Sequence, residues 1–269
     1  MKNKNFIVGG CSFTFGHELS DDNEGKTPSK QSWAYKLKTE TIATCHDNYI
    51  CVARPGTGNS GIARRVFDAV ANTKDISCVV VMWSFLSRYD WAMPRHKNLE
   101  NTRWATISPW DTKIANEERY RALAGSEPQQ EDYKRRDNLL IETGVKPLAD
   151  TIYRYGANEY HETYLSWKSI IWLQNILEKK KIPYMFTLAD NSLFYQNLYN
   201  HKDQDNFMRA LHNEIDLTKW FFFGDRCMGF NQWASLEEYP RGTTHPLDKA
   251  HVDAVKLMMP TFEKLIGGK

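Results

Sequence analysis

At 269 residues, with 41% hydrophobic and 25% charged side chains, the chain can bury a substantial core and is far from the composition of a disordered polypeptide. Lys+Arg 35 against Asp+Glu 33 leaves a formal charge of +2, too balanced for a surface that tracks phosphates, so nucleic acid is not expected as a partner. Five cysteines, Cys11, Cys45, Cys51, Cys78 and Cys227, include no C-x-x-C pair, FIVGG near the start is too short for a signal peptide, and no window approaches membrane-spanning length; a soluble, cytoplasmic protein without a disulfide framework or zinc knuckle is expected.

Asn5 to Gly10, NFIVGG, is a short apolar run stopped by glycines, the pattern of a buried strand that breaks sharply into a loop. A polar stretch leads to SWAYKLKTETIAT, where Trp33, Leu37 and Ile42 fall at helical spacing behind a serine able to cap them. Asn48 to Ala53, NYICVA, is a second strand, followed by the turn cluster RPGTGNSG and a helix over IARRVFDAVANT with Ile62, Val66, Phe67 and Val70 as its apolar residues. Asp75 to Ser84, DISCVVVMWS, holds the unbroken β-branched run of a strand covered on both faces, which implies a parallel sheet.

Residues 87–156 show weak periodicity, several charges and scattered aromatics where a compact α/β unit needs only a short connection. They read as a partly helical insertion, a candidate cap over a site, within one domain spanning 1–269. YHETYLSWKSIIWLQNILEKKK is an amphipathic helix with Leu165, Ile170, Leu173 and Ile176 on its apolar side, and Lys179, Lys180 and Lys181 form a solvated end suited to the helix dipole. IPYMFTLAD is the fourth strand, and LTKWFFFGDRCMGF is aromatic enough for core or pocket lining. HPLDKAHVDAVKLMMPTFEKLI passes through Pro246 into a last helix, with Val252, Val255, Leu257 and Met258 inward and Pro260 a candidate kink. This alternation predicts an α/β fold, a three-layer α/β/α sandwich with a mainly parallel central sheet, whose functional loops lie at the carboxyl ends of the strands.

Three loops at such ends hold residue types that acyl transfer needs. In GGCSFTFG, Ser12 follows a buried strand, so its hydroxyl can enter the crevice and its backbone N–H can face an oxyanion; satisfying a turn is the plain alternative. In PGTGNSG, Gly58 permits close backbone approach and Asn59 offers an amide donor, although a turn and helix cap is the commoner use. THPLDKAH brings His245, Asp248 and His251 together ahead of the last helix. His17-Glu18 in GHEL lacks a second histidine at zinc-helix spacing and reads as loop or pocket wall. Arg88 could meet an anionic substrate group or make a structural salt bridge, and Trp83, Trp91, Trp104 and Trp110 could line a sugar or aryl pocket, though such residues more often form an insertion's own core.

In this order the three loops resemble the SGNH/GDSL hydrolase family, whose blocks are a G-D-S nucleophile segment, a glycine, a G-x-N-D segment and a late D-x-x-H-P; the resemblance covers nearly the whole chain. It implies a flavodoxin-like SGNH-hydrolase fold and a cofactor-free serine esterase acting on a small acyl ester, such as an acetyl group on a carbohydrate. An acyltransferase using the same residues, or a non-catalytic carbohydrate- or partner-binding module on that scaffold, are the alternatives. Carried over residue by residue, Ser12 is the nucleophile and Gly58 supplies an oxyanion N–H, while Cys11 stands where the family has an aspartate outside the triad. VVVMWSFLSR has neither the glycine nor the asparagine of the third block, so Asn59 or a side chain from the insertion would have to replace that donor. His245-Pro246 matches the late H-P and makes His245 the base, with Gly242 where the carboxylate should be. Read literally, Asp248-Lys249-Ala250-His251 is also a D-x-x-H; a base in the loop reaches the serine more easily than one inside a helix, which favours His245. SWAYKL and VVVMWSFLSR are similar to small SGNH-like proteins encoded by phages, which would act in the host cell.

Overall fold

In a computed structural model that describes residues 3–23, 25–93, 104–112, 138, 140–194 and 205–267, Asn5–Gly9 forms the first strand, β1. It pairs in parallel with β2 (Asn48–Cys51) on one side and β3 (Ile76–Trp83) on the other. Two further strands, β4 (Tyr89–Ala92) and β5 (Trp104–Ile107), form a separate antiparallel pair, and β6 (Tyr184–Leu188) completes the main sheet beside β3. The order β2-β1-β3-β6 places the most apolar runs inside and leaves β2 on the edge, where none of its residues is fully buried. The strand ends at Cys51 and not at Ala53, although the Val52 N–H still donates to the Val8 carbonyl at 2.8 Å.

Side-chain alternation along the strands builds the two outer layers. Phe6 and Val8 of β1 and Cys78, Val80 and Met82 of β3 share one core with Trp33, Ala34 and Leu37 of α2 (Trp33–Glu40) and with Ala250, Ala254, Val255, Met258 and Phe262 of the last helix, α8 (Asp248–Gly267). Burying each such large side chain is worth about 1.5–3 kcal/mol. The opposite parity faces α3 (Asn59–Asn72), which lies so close over β1 that a Cβ at Gly9 would come 2.2 Å from Val66 Cγ2. Beside α3 runs α5 (Glu159–Lys179), joined to it by the Ser60 and Ser169 hydroxyls at 3.0 Å. The result is the expected three-layer α/β/α sandwich. Because the chain leaves β1 toward β2 and then crosses back to β3, the loops after β1 and β3 diverge and open a crevice at the carboxyl edge of the sheet.

The chain divides into two compact units, Met1–Leu86 with Thr163–Lys269, and Ser87–Glu162. The second contains the β4–β5 pair and α4 (Val145–Thr151), which continues into a π-helical turn over Ile152–Gly156. Tyr153 donates its hydroxyl to the carbonyls of Ser87 and Ile107, and Tyr89 donates to Glu162. Of the stretch read as an insertion, residues 94–103, 113–137 and 139 lie outside the described residues.

Several helix details depart from expectation. α2 stops at Glu40, so Ile42 lies beyond it and is 89% exposed. α3 starts at Asn59, which puts NSG in its first turn; Phe67 points outward and packs on Trp172 of α5, ring centroids 5.0 Å apart. α5 buries Trp167, Ile170, Leu173 and Leu177, whereas Leu165 and Ile176 are only half-buried. α8 is unbroken through the exposed Pro260, and its 3.6-residue stripe runs through Ala250, His251, Ala254, Val255, Met258 and Phe262. Leu257 falls off that stripe and is exposed, and Val252 sits at its margin. In the aromatic segment Leu217–Lys219 is a 3-10 turn, after which Trp220 makes a single parallel bridge to Phe186. Trp91, Trp104 and Trp110 are exposed and do not form a core of their own unit. Among the described residues no helix is long and apolar enough to cross a membrane.

Candidate active site

β1 ends at Gly9, and the chain turns through Gly10 and Cys11 into α1 (Ser12–Phe15), a single helical turn closed by Gly16 in the left-handed conformation. Gly10 is required there: a Cβ would meet Thr14 Oγ1 at 2.0 Å. Cys11 packs into the α2/α8 core, which anchors the turn from below, and Ser12 above it is itself buried. The loop after β2 is tied to this turn, since the Arg54 N–H donates to the Gly10 carbonyl at 3.1 Å. That loop ends in Gly58, the N-cap of α3.

The tail meets the same edge through a tight loop at 241–246. Arg241 and Pro246 pair as an antiparallel bridge, Gly242 N–H donates to the His245 carbonyl at 2.9 Å, and the Arg241 guanidinium holds the Thr244 carbonyl at 2.8 Å. This loop sets the His245 imidazole edge-on to Phe13, centroids 4.7 Å apart, with Nε2 2.8 Å from Ser12 Oγ. The other side of the ring meets Glu18, whose Oε2 lies 3.0 Å from Nδ1 and also accepts the backbone N–H groups of His245 at 2.9 Å and Thr244 at 3.0 Å. Thr244 Oγ1 stands 2.8 Å from the same Nδ1. Burial pushes the Glu18 carboxyl up, but the Thr244 N–H, the His245 ring and the His245 N–H together outweigh it and hold it at about 2.

The carboxylate beside His245 is therefore neither Asp248 nor a residue of the D-x-x-H spacing. Asp248 accepts from the Ser20 hydroxyl at 2.6 Å and the Ser20 N–H at 3.2 Å; burial raises it, and the Ser20 donors more than reverse that. His251 is buried beneath the site, where its Nδ1 accepts the first N–H of α2, from Trp33, at 3.0 Å. Burial lowers the His251 imidazole to about 3, so it is a neutral brace between α2 and α8 and does not touch Ser12.

Asn59 is also committed elsewhere. Its Oδ1 accepts the Ser84 N–H at 2.7 Å, and its Nδ2 donates to the Ser84 carbonyl at 3.1 Å and to Ser166 Oγ at 3.0 Å. Both amide hydrogens are spent on pinning the end of β3 to α3 and α5, which leaves none for an oxyanion. Trp83 shares the parity of Val79 and Val81, so its ring is buried edge-on to Phe186, centroids 5.3 Å apart, and is core, not pocket lining. Arg88 belongs to the Ser87–Glu162 unit, where it is half-buried.

Glu18 was read from sequence as loop or pocket wall. The signals that point to it are the glycine at position 242, which leaves the base without a local carboxylate, and an acidic residue a turn beyond Ser12. His17, next to it, stands edge-on to His245 with centroids 5.5 Å apart, and its Nδ1 lies 2.9 Å from Asp22 Oδ2. Among the described residues no group of three or more His, Cys, Asp and Glu side chains is arranged to hold a metal ion.

No protein-family model matches the chain, and no curated protein matches it. Among solved structures it is similar to the psychrotrophic esterase EstA from Pseudoalteromonas sp., at 11% identity over 99% of this chain and 100% of that one, with a TM-score of 0.48. It is also similar to a putative lipolytic protein of the G-D-S-L family from Desulfitobacterium hafniense DCB-2, at 9% identity over 96% of this chain and 99% of that one, with a TM-score of 0.43. A third is AlinE4, an SGNH-hydrolase family esterase, at 11% identity over 98% and 97% of the two chains, with a TM-score of 0.39.

Proposed function

We propose that this chain is a serine hydrolase that cleaves a small acyl ester, with Ser12 as nucleophile and His245 as general base. The observation that carries the reading is the 2.8 Å approach of His245 Nε2 to Ser12 Oγ at the carboxyl end of β1. Nε2 takes the hydroxyl proton as Oγ bonds to the ester carbonyl carbon, and the carbonyl π electrons move onto oxygen. Collapse of that tetrahedral species expels the alkoxide, which receives the proton from Nε2 and leaves as the alcohol. Water then repeats the sequence against the acyl-Ser12 ester, with His245 again taking and returning the proton, and releases the acid.

The oxyanion falls to the backbone N–H groups of Ser12 and Gly58. They stand where the loops after β1 and β2 enter α1 and α3, and the Arg54–Gly10 bond holds those loops together. With Asn59 engaged elsewhere, this hole lacks a side-chain donor, a loss worth about 10²–10³ in turnover where one has been removed from a related site. Slow hydrolysis of activated acetyl esters is the expected behaviour, and carbohydrate acetates are the natural substrates to try.

Incubation with p-nitrophenyl acetate and with a fluorophosphonate probe tests this. The wild type should hydrolyse the ester and take up one label, whereas Ser12→Ala should do neither, and His245→Ala should lose about 10³-fold or more in kcat. A wild type that resists the probe, or a Ser12→Ala variant that is labelled as well, would overturn the assignment.

A further inference from the structure

We infer that Glu18 is the positioning carboxylate of His245, supplied from the opening loop of the chain, and that Gly242 is glycine because Glu18 occupies the space a side chain there would need. The inference rests on the serine-esterase reading of the same site and adds the residue that makes its base competent.

The tautomer argument comes first. His245 accepts the Ser12 proton only if Nε2 carries a lone pair, which requires the ring hydrogen on Nδ1. Two groups reach Nδ1: Thr244 Oγ1 at 2.8 Å and Glu18 Oε2 at 3.0 Å. A hydroxyl can donate or accept, so threonine alone would permit the wrong tautomer, with Nε2–H facing Ser12 and no basic nitrogen beside it. An ionised carboxylate can only accept. Glu18 therefore selects Nδ1–H, and its ionised form is secured by the Thr244 and His245 N–H groups on the same oxygen. The loop that delivers it is held as well: Glu18 has a left-handed backbone, φ 69, and its N–H donates to Asp22 Oδ2 at 2.8 Å.

The second argument is steric. A Cβ built at Gly242 would stand 2.8 Å from Glu18 Oε2 and 3.1 Å from its Cδ. A side chain there would have to push the Glu18 carboxylate off His245, and with that carboxylate removed an aspartate at 242 would enter the same space, within the loop that carries His245. The two positions are alternative origins for one carboxylate.

Four variants of the full chain test this with p-nitrophenyl acetate: Glu18→Gln, Glu18→Ala, Gly242→Asp and Glu18→Ala/Gly242→Asp. Both Glu18 variants should lose about 10²-fold or more in kcat per folded molecule, with KM changed only a few-fold; thermal unfolding should come at a lower temperature, because the Thr244 and His245 N–H groups lose their acceptor, so activity is read well below that transition. Gly242→Asp alone should be impaired by crowding, and the double variant should recover at least tenfold over Glu18→Ala. The wild type should also show a far-downfield imidazole N–H proton resonance, absent from His245→Ala and lost in Glu18→Gln; this readout needs no substrate. If the wild type is active and Ser12-dependent while Glu18→Gln keeps full kcat and the resonance, the inference fails and the esterase reading stands. If the wild type is inert toward ester and probe, the esterase reading fails, and persistence or loss of the resonance in Glu18→Gln still decides whether Glu18 holds His245. A double variant no faster than Glu18→Ala rejects the exchange with Gly242.

Discussion

Burial sorts the two tail imidazoles into different tasks. His245 faces the crevice with a serine on one nitrogen and a carboxylate on the other, whereas His251 is sealed under α2 and lowered to about 3 by desolvation. A histidine that folds neutral but binds a proton when unfolded, near 6.5, contributes stability that is complete above that pH. As pH falls from 6.5 toward 3 the unfolded state binds the extra proton, and stability drops by up to about 1.4 kcal/mol per pH unit. Glu18, held at about 2 against 4.5, adds its own loss only below 4.5; between 4.5 and 6.5 burial also lowers His212 and raises Glu162, so the share of His251 is read as the difference between wild type and a His251 variant. Urea unfolding across that interval should show the slope in the wild type and a flatter one in His251→Asn, whose amide oxygen can still accept the Trp33 N–H. Equal slopes would reject the assignment.

Close approach between elements is as decisive as charge. α3 rides on β1 at Gly9, where an added methyl would sit 2.2 Å from Val66 Cγ2. Gly9→Ala should therefore cost about 1–3 kcal/mol of stability in chemical denaturation, the usual penalty for overpacking, and Val66→Ala should restore part of it in the double variant. The four strands of the main sheet and its parallel sense were legible in the sequence, because continuous apolar runs belong to strands covered on both faces, whereas the β4–β5 pair inside the stretch read as partly helical was not. The meeting of Ser12 with His245 at 2.8 Å was legible for a related reason: one follows a strand end and the other stands beside a proline. Helix ends were less so, since α2 stops where the polar run around Thr41 begins, and Ile42 mimics a continuation of its stripe. Trp83 could have been placed by parity along β3, which sends it to the same face as Val79 and Val81. Glu18 and the bonds of Asn59 to Ser84 and Ser166 depend on which distant segments meet, and local pattern carries no such information.

The compact unit that bears Ser12 is closed by its own tail. α8 supplies Ala250, Ala254, Val255, Met258 and Phe262 to the core under β1 and β3, and its first residue, Asp248, clamps Ser20 in the loop that carries Glu18. Phe262 is fully buried and far along the helix from His245, so Phe262→Ala should cost about 3–5 kcal/mol in unfolding free energy. On the proposed esterase reading, hydrolysis of p-nitrophenyl acetate should then fall with the folded fraction while kcat per folded molecule holds. A variant that loses kcat without losing the fold would show that α8 does more than seat the base.

The hydrophobic seating of that helix also fixes a chronology. Translation makes Ser12 233 positions ahead of His245, the residue whose Nε2 it meets, and α8 follows directly after. Throughout the interval Ser12 is an ordinary alcohol without an imidazole beside it, and a message cut short before the His245 codon yields nothing else. On the proposed serine-esterase reading, emergence and folding of the segment that carries His245 is the step that activates Ser12.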